Sequence, residues 1–167
     1  SVDARWLVPH FEKMLYDNAL LSRLYLHGYQ ATRRPLYRRI VEETLDYVLR
    51  EMTGPGGGFY ATQDADSEGE EGKYYTWGWD GLAALGVAEY FGATPGGNFE
   101  GKNILSVPSG SVDVIPEAVA AGRQQLFANR QERVPPRRDE KVLAGWNGLM
   151  LRSLAEAGAS LGRADYL

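Results

Sequence analysis

Hydrophobic and polar positions divide this chain into stretches of different period. Tyr37, Ile40, Val41, Thr44, Leu45, Val48 and Met52 recur at i, i+3, i+4 spacing. Arg38, Arg39, Glu42, Glu43, Asp46 and Arg50 take the opposite face. This is the pattern of a surface helix with one buried stripe, predicted over 36–52. Arg38–Glu42, Arg39–Glu43 and Asp46–Arg50 would add i, i+4 ion pairs. From His10 to about Thr32 the residues are also good helix formers, but their apolar positions lie on two sides. Met14, Leu21 and Leu24 share one side; Phe11, Leu15 and Leu26 share another. A helix apolar on two sides is expected to be buried on two sides. The two segments read as a helical hairpin, inner then outer, joined near Arg33-Arg34-Pro35. A further inner helix is predicted over 140–161, where Leu143, Trp146, Met150, Leu154, Ala157 and Leu161 form a stripe widened by Val142 and Leu149.

Between these helices the period changes. Thr53-Gly54-Pro55-Gly56 stops the second helix. Gly58-Phe59-Tyr60-Ala61-Thr62 and Tyr74-Tyr75-Thr76-Trp77 are rich in aromatic and β-branched residues and flank an acidic loop. They predict a β-hairpin with a long tip. A short helix is predicted over 80–90, a loop rich in Gly, Pro, Ser and Asn over 92–113, and another helix over 116–130. Val134-Pro135-Pro136 then breaks the chain.

The first and last inner helices echo one another. Glu12-Lys13-Met14-Leu15 resembles Glu140-Lys141-Val142-Leu143. After a slip of one residue, Asn18-Ala19-Leu20-Leu21 matches Asn147-Gly148-Leu149-Met150, Arg23 falls on Arg152 and Tyr37 on Tyr166. Amphipathicity alone does not dictate the shared polar positions, so a repeated hairpin unit is expected; the alternative is chance similarity between two amphipathic helices. Such units build toroids or solenoids in which each repeat buries its neighbour.

Composition narrows the function classes. The chain has 167 residues with 18 Lys and Arg against 22 Asp and Glu, a net charge of −4. That balance argues against a nucleic-acid partner. There is no Cys, which removes disulfides and thiolate chemistry. With only His10 and His27, no His-rich metal site is expected, and nothing in the sequence calls for a cofactor. No apolar run approaches membrane-spanning length and no signal peptide is visible, so a cytoplasmic protein without a membrane partner is expected. Glycine is abundant, 20 residues; Gly145 and Gly148 on the last helix suggest close packing there.

Candidate chemistry clusters in three places. On a helical wheel His10, Lys13 and Asp17 share an arc of about 60°, where Lys⁺ would keep the carboxylate ionised and His titrates near neutrality. The alternative is an ordinary helix start with a Lys13–Asp17 bridge. The acidic loop Gln63-Asp64-Ala65-Asp66-Ser67-Glu68-Gly69 partly fits an EF-hand, but Tyr75 stands where the bidentate Glu belongs, so that reading fails. Asp64 and Asp66 could instead act on a sugar as general acid and base, or the run could be a solvated tip. Trp146 could stack a sugar face and Asn147 bind a hydroxyl; alternatively both serve the core.

These residues carry a family resemblance. Val8-Pro-His-Phe-Glu-Lys-Met-Leu-Tyr-Asp-Asn18, Gly57-Gly-Phe-Tyr60 with Asp64-Ala-Asp-Ser-Glu-Gly69, Gly97-Asn-Phe-Glu-Gly-Lys-Asn-Ile-Leu105 and Asp139-Glu-Lys-Val-Leu-Ala-Gly-Trp-Asn-Gly-Leu-Met150 resemble, in order, the signatures of the spermatogenesis-associated protein 20 family of thioredoxin domain-containing proteins. The resemblance implies an all-α fold. It would be a partial (α/α) six-hairpin barrel with a β-hairpin insert, similar to N-acylglucosamine 2-epimerases and unsaturated glucuronyl hydrolases. Residues 1–167 would be a single partial domain of about two and a half hairpins, with the family's N-terminal thioredoxin-like domain absent. The segment between Trp77 and Gly97 is shorter than the family pattern, and Asp139-Glu-Lys replaces a commoner Asp-Asp-Lys. The expected function is a carbohydrate-active site, epimerase- or glycan-hydrolase-like, with a saccharide ligand. Asp64, Asp66, Asp17 and His10 are the catalytic candidates. Glu12, Lys13, Tyr16 and Glu68, with Asp139, Lys141, Trp146 and Asn147, are the substrate-binding ones. The alternative is a non-catalytic binding module working with the thioredoxin-like domain.

Overall fold

A computed structural model describes residues 2–108 and 112–167; positions 109–111 of the predicted loop lie outside the described residues. The elements run β1 (Lys13–Met14), α1 (Leu15–Thr32), α2 (Pro35–Glu51), β2 (Thr62–Gln63), β3 (Asp66–Ser67), β4 (Glu70–Glu71), α3 (Trp79–Ala84), α4 (Glu117–Gln131), β5 (Arg138–Asp139), α5 (Ala144–Leu161) and a 3-10 turn (Ala164–Tyr166). The helices dominate and the strands are two residues each. The chain divides into two compact units. A helical unit comprises Glu12–Asp64 and Arg137–Leu167; a loop-rich unit comprises the chain up to Phe11 and Ala65–Pro136.

In the helical unit α1 packs against both α2 and α5. The predicted stripe of α2 is buried through Val41, Leu45 and Val48, with Met52 behind them. They meet Leu15, Ala19 and Leu26 of α1 and Met150, Leu154, Ala157 and Leu161 of α5. Each fully buried Leu or Val contributes roughly 1.5–3 kcal/mol. A three-stranded antiparallel sheet lies at the N-terminal ends of α1 and α5, in the order β1-β2-β5. Lys13 faces Gln63 and Met14 faces Thr62; Thr62 in turn faces Asp139, and Gln63 faces Arg138.

With the one-residue slip, the echo in the sequence is an echo in the backbone. Both α1 and α5 have 18 residues, Leu15 falling on Ala144 and Thr32 on Leu161. Both end in a left-handed residue, Arg33 (φ 59°) and Gly162 (φ 72°). Asn18 and Asn147 each donate from Nδ2 to the carbonyl preceding their helix, Met14 at 2.8 Å and Leu143 at 3.1 Å. Pro35, the first residue of α2, corresponds to Ala164, the first of the 3-10 turn.

The loop-rich unit has its own core of Trp77, Leu82, Val87, Ala88, Phe91, Val119 and Leu126. Helix α4 approaches Val87 so closely at Gly122 that a Cβ there would collide with it. Asn103 ties the loops together. Its backbone exchanges two hydrogen bonds with Trp77. Its side chain accepts from the Thr94 N–H and donates to the Thr94 carbonyl.

Several expectations change. The helix predicted from His10 begins at Leu15, because residues 13–14 are extended and paired in the sheet. The flanks of the predicted long hairpin do not pair with each other: Thr62–Gln63 joins β1 and β5, while Trp77 pairs with Asn103. The acidic loop instead holds its own tight hairpin, β3 against β4. It turns through Glu68 (φ 54°) and Gly69 (φ 79°), the left-handed pair of a two-residue hairpin loop. The helix predicted over 80–90 stops at Ala84. Burial of α1 is one-sided: Leu20, Leu21 and Leu24 are 48–64% exposed. On α5, Gly145 and Gly148 face open space rather than a close neighbour. Asp46 pairs not with Arg50 but with Arg163 at 2.8 Å and the Tyr166 hydroxyl at 2.7 Å.

Glu156 joins α1 to α5. It accepts from Arg23 Nε at 2.6 Å and Arg152 Nε at 2.9 Å. The two guanidinium groups, Arg23 foremost, hold its carboxyl down at about 2. A carboxyl lowered on folding stabilises the fold above its unfolded value and loses that contribution as pH falls toward its folded value. Acid titration of stability between about pH 5 and pH 2 should therefore be shallower for Glu156→Gln than for the native chain. Urea unfolding at a series of pH values measures this, and parallel curves would refute it.

Candidate functional site

The sheet gathers most of the candidate residues at one end of the helical unit. Lys13 ends β1 beside Glu12, and Tyr16 and Asp17 follow in the first turn of α1. Asp64 follows β2, Asp139 closes β5, and Trp146 and Asn147 lie in the first turn of α5. Backbone hydrogen bonds lock these segments. The Leu15 N–H donates to Ala61 O at 2.9 Å, Ala61 N–H to Asp139 O at 3.1 Å, and Asp64 N–H to Arg137 O at 2.8 Å. Neither helix has a side-chain N-cap bond. The Leu15 N–H, which helix geometry leaves without an intrahelical acceptor, is thus satisfied by a distant strand.

The side chains differ in their commitments. Tyr16 and Trp146 are half-buried, with ring centroids 4.8 Å apart and planes tilted by 59°. Asp139 accepts from the Lys141 ammonium at 3.0 Å and from the Lys141 N–H at 3.2 Å. Those bonds hold its carboxyl below the usual range. Asp64 is exposed, and Asp17 is half-buried. Asn147 is committed to the backbone. Its Oδ1 accepts from the Phe59 N–H at 2.8 Å and its Nδ2 donates to Phe59 O at 3.0 Å. An open cavity of about 260 Å³ beside Lys13 and Asn18 is also lined by Ile40, Glu43, Thr44 and Tyr47.

The remaining candidates belong to the loop-rich unit. His10 is an exposed residue outside any helix, so the His10–Lys13–Asp17 arc does not form: Lys13 is on a strand and only Asp17 is helical. Asp66 is exposed on β3, opposite Glu71. Glu68 sits at the hairpin turn, 3.2 Å from Lys73. Among the described residues no group of three or more His, Cys, Asp or Glu is placed to hold a metal ion.

Two features escaped the sequence pattern. Gln63 is only 4% exposed and accepts from the Tyr47 hydroxyl at 2.7 Å, which anchors β2 to α2. Arg130 and Arg133 pack on aromatic rings in the loop-rich unit. The signal for the arginines was available as a run of Arg130, Arg133, Arg137 and Arg138 in an acidic chain.

This end of the helical unit is thus a pair of repeated helix starts bound by one small sheet, displaying an aromatic pair, an ionised carboxylate and an exposed aspartate. The chain is 33% identical to the human protein named spermatogenesis-associated protein 20, over 98% of this chain and 26% of that protein. The mouse protein of that name is 32% identical over 97% of the chain. An uncharacterized protein of Caenorhabditis elegans, B0495.5, is 27% identical over the full chain. The chain spans about a quarter of the length of these curated relatives. No protein-family model matches it. Among the described residues no helix is long and apolar enough to cross a membrane.

Asn147→Ala tests the clamp on Phe59. It strands a backbone donor and acceptor, at a cost of about 2–3 kcal/mol. Asn18→Ala, which loses one local bond, should cost about 1 kcal/mol or less. Chemical denaturation of the two variants measures the difference, and equal losses would show that the clamp is not what holds Phe59.

Proposed function

We propose that this chain is part of a carbohydrate-active domain of the spermatogenesis-associated protein 20 family, with its saccharide site at the sheet end of α1 and α5. The fold in this reading is a partial (α/α) six-hairpin barrel. The observation that carries it is that one three-stranded sheet ties together the chain segments bearing the Tyr16–Trp146 pair, Asp139, Asp64 and Asp17. Aromatic faces bind the apolar face of a sugar ring. Asp139, an ionised carboxylate bonded to Lys141, accepts hydrogen bonds from hydroxyls and favours cationic character in a transition state. Asp64 and Asp17 supply the carboxyls that take and return a proton, as either epimerisation or glycosidic cleavage requires. Asn147 positions Phe59 instead of touching the ligand. Asp66, Glu68 and His10, in the other unit, are assigned no step.

A second reading, a binding module working with a thioredoxin-like domain, is favoured by the open apolar positions Leu20, Leu21 and Leu24 on α1 and Leu151 on α5. Turnover separates the two. On a panel of N-acylhexosamines and oligosaccharides containing uronic acids, the native chain should convert at least one compound. Asp64→Asn should slow that conversion by roughly 100-fold or more without changing thermal stability. Trp146→Ala should raise KM more than it lowers kcat. Absence of both binding and turnover across the panel, with protein clients retained, would establish the second reading instead.

A further inference from the structure

We propose that the loop-rich unit contains a binding site for a small oxyanion, the carboxylate or phosphate group of a small molecule, between Lys73, Lys102 and Arg133. The site is a cavity of about 340 Å³ whose walls include these three cations with Ser67, Tyr74 and Thr76. That volume suits a small metabolite.

Arg133 is the organising group. Its Nη1 donates to the carbonyls of Tyr74 at 2.9 Å and Thr76 at 2.8 Å, with a longer bond to Lys73 O at 3.3 Å. Its guanidinium lies 3.9 Å from the centroid of the Trp77 ring. One end of the planar fork is therefore fixed. The other edge, Nε and Nη2, donates to no described residue and is not sealed from solvent. That edge is the one that grips two oxygens of a carboxylate or phosphate side by side.

Charge points the same way. Among the described residues no carboxylate pairs with Arg133 or with its neighbour Arg130, whose guanidinium lies over Tyr74, Tyr75 and Phe127 and whose Nε is buried without a partner. Burial, and then repulsion from Arg130, push the Arg133 pKa below its ordinary value. The site thus disfavours an uncompensated cation, and an oxyanion would supply the missing counter-charge. Lys102 and Lys73 are both held by Glu70, at 2.7 Å and 3.8 Å, and Lys73 also by Glu68 at 3.2 Å. These bridges fix the two ammonium groups at the cavity wall. The cavity wall carries these three cations and one carboxylate, Glu68, and with Glu70 bridging the lysines the balance is still a local positive excess on a chain of net charge −4.

The site lies in a different unit from the saccharide site, so either assignment can fail alone. The test is thermal unfolding and NMR titration of the 167-residue chain with inorganic phosphate and, separately, sodium acetate, each against sodium chloride at equal ionic strength. Saturable stabilisation by phosphate alone identifies a phosphate ester as the ligand class; stabilisation by both extends it to carboxylates, and by acetate alone restricts it to them. The Arg133 Nε–H resonance should shift along the same curve. Lys73→Gln and Lys102→Gln, which leave the carbonyl-bracing Arg133 in place, should each raise the apparent Kd about tenfold, and Arg133→Lys should raise it further by removing the two-pronged edge. The proposal is overturned if neither anion exceeds chloride, or if binding is unchanged in both lysine variants.

Discussion

Thr62 and Gln63 pair with two neighbouring strands at once, and the helical unit depends on that pairing. Residues from three distant parts of the chain meet there as β1, β2 and β5. Two of the three strands lead into α1 and α5, so the sheet sets where each helix starts. Gln63 cannot leave this place cheaply, because its buried amide accepts from Tyr47 on α2. Asn147 adds a second lock by holding both polar groups of Phe59, four residues before Gln63. A sheet of two-residue strands has little stability of its own. It persists because α1, α2 and α5 bury a common core directly behind it.

Most of the helical framework was legible in the sequence. The stripe of α2 and the apolar run of α5 from Met150 onward lie where their period places them, and the helix expected over 116–130 forms at Glu117–Gln131. The strands were not legible. Two residues contain no alternation to detect, and aromatic flanks indicate that a segment pairs without indicating its partner. Phe59–Thr62 and Tyr74–Trp77 therefore looked like one hairpin, although their partners are distant. The start of α1 was misplaced for the same reason. No side chain caps it, and its terminal N–H is satisfied by Ala61 rather than by a local signal. His10 and Asp17 share no helical face, because the chain is still extended at Lys13–Met14 and α1 begins at Leu15.

Apolar pattern and actual burial diverge on α1. Leu15, Ala19 and Leu26 are buried, whereas Leu20, Leu21 and Leu24 stay open. Two apolar arcs implied burial on two sides, but only one of them is covered. Polar side chains divide in the same way. Asn18 and Asn147 occupy matching positions and both bind their own helix start, but only Asn147 reaches across to another segment. Matching sequence positions go with the same local bond, while the distant one is made by Asn147 alone of the two.

The two helix copies repeat geometry more than chemistry. Arg33 and Gly162 adopt the same left-handed turn, although that conformation costs a non-glycine residue about 1 kcal/mol or more. Tertiary packing therefore dictates the backbone, and the Arg33 guanidinium lies over the Tyr29 ring at 5.5 Å, a contact that offsets part of the strain. At matching places in the first turn, α1 carries Asp17 and α5 carries Trp146. A symmetric pair of helix starts thus presents one carboxylate and one indole. A sugar ring also has two unlike needs, a flat apolar face to be covered and a polar atom to exchange a proton. In the saccharide site proposed above, that divergence would supply both needs, while Trp146 also packs against the core of the helical unit and on Tyr16.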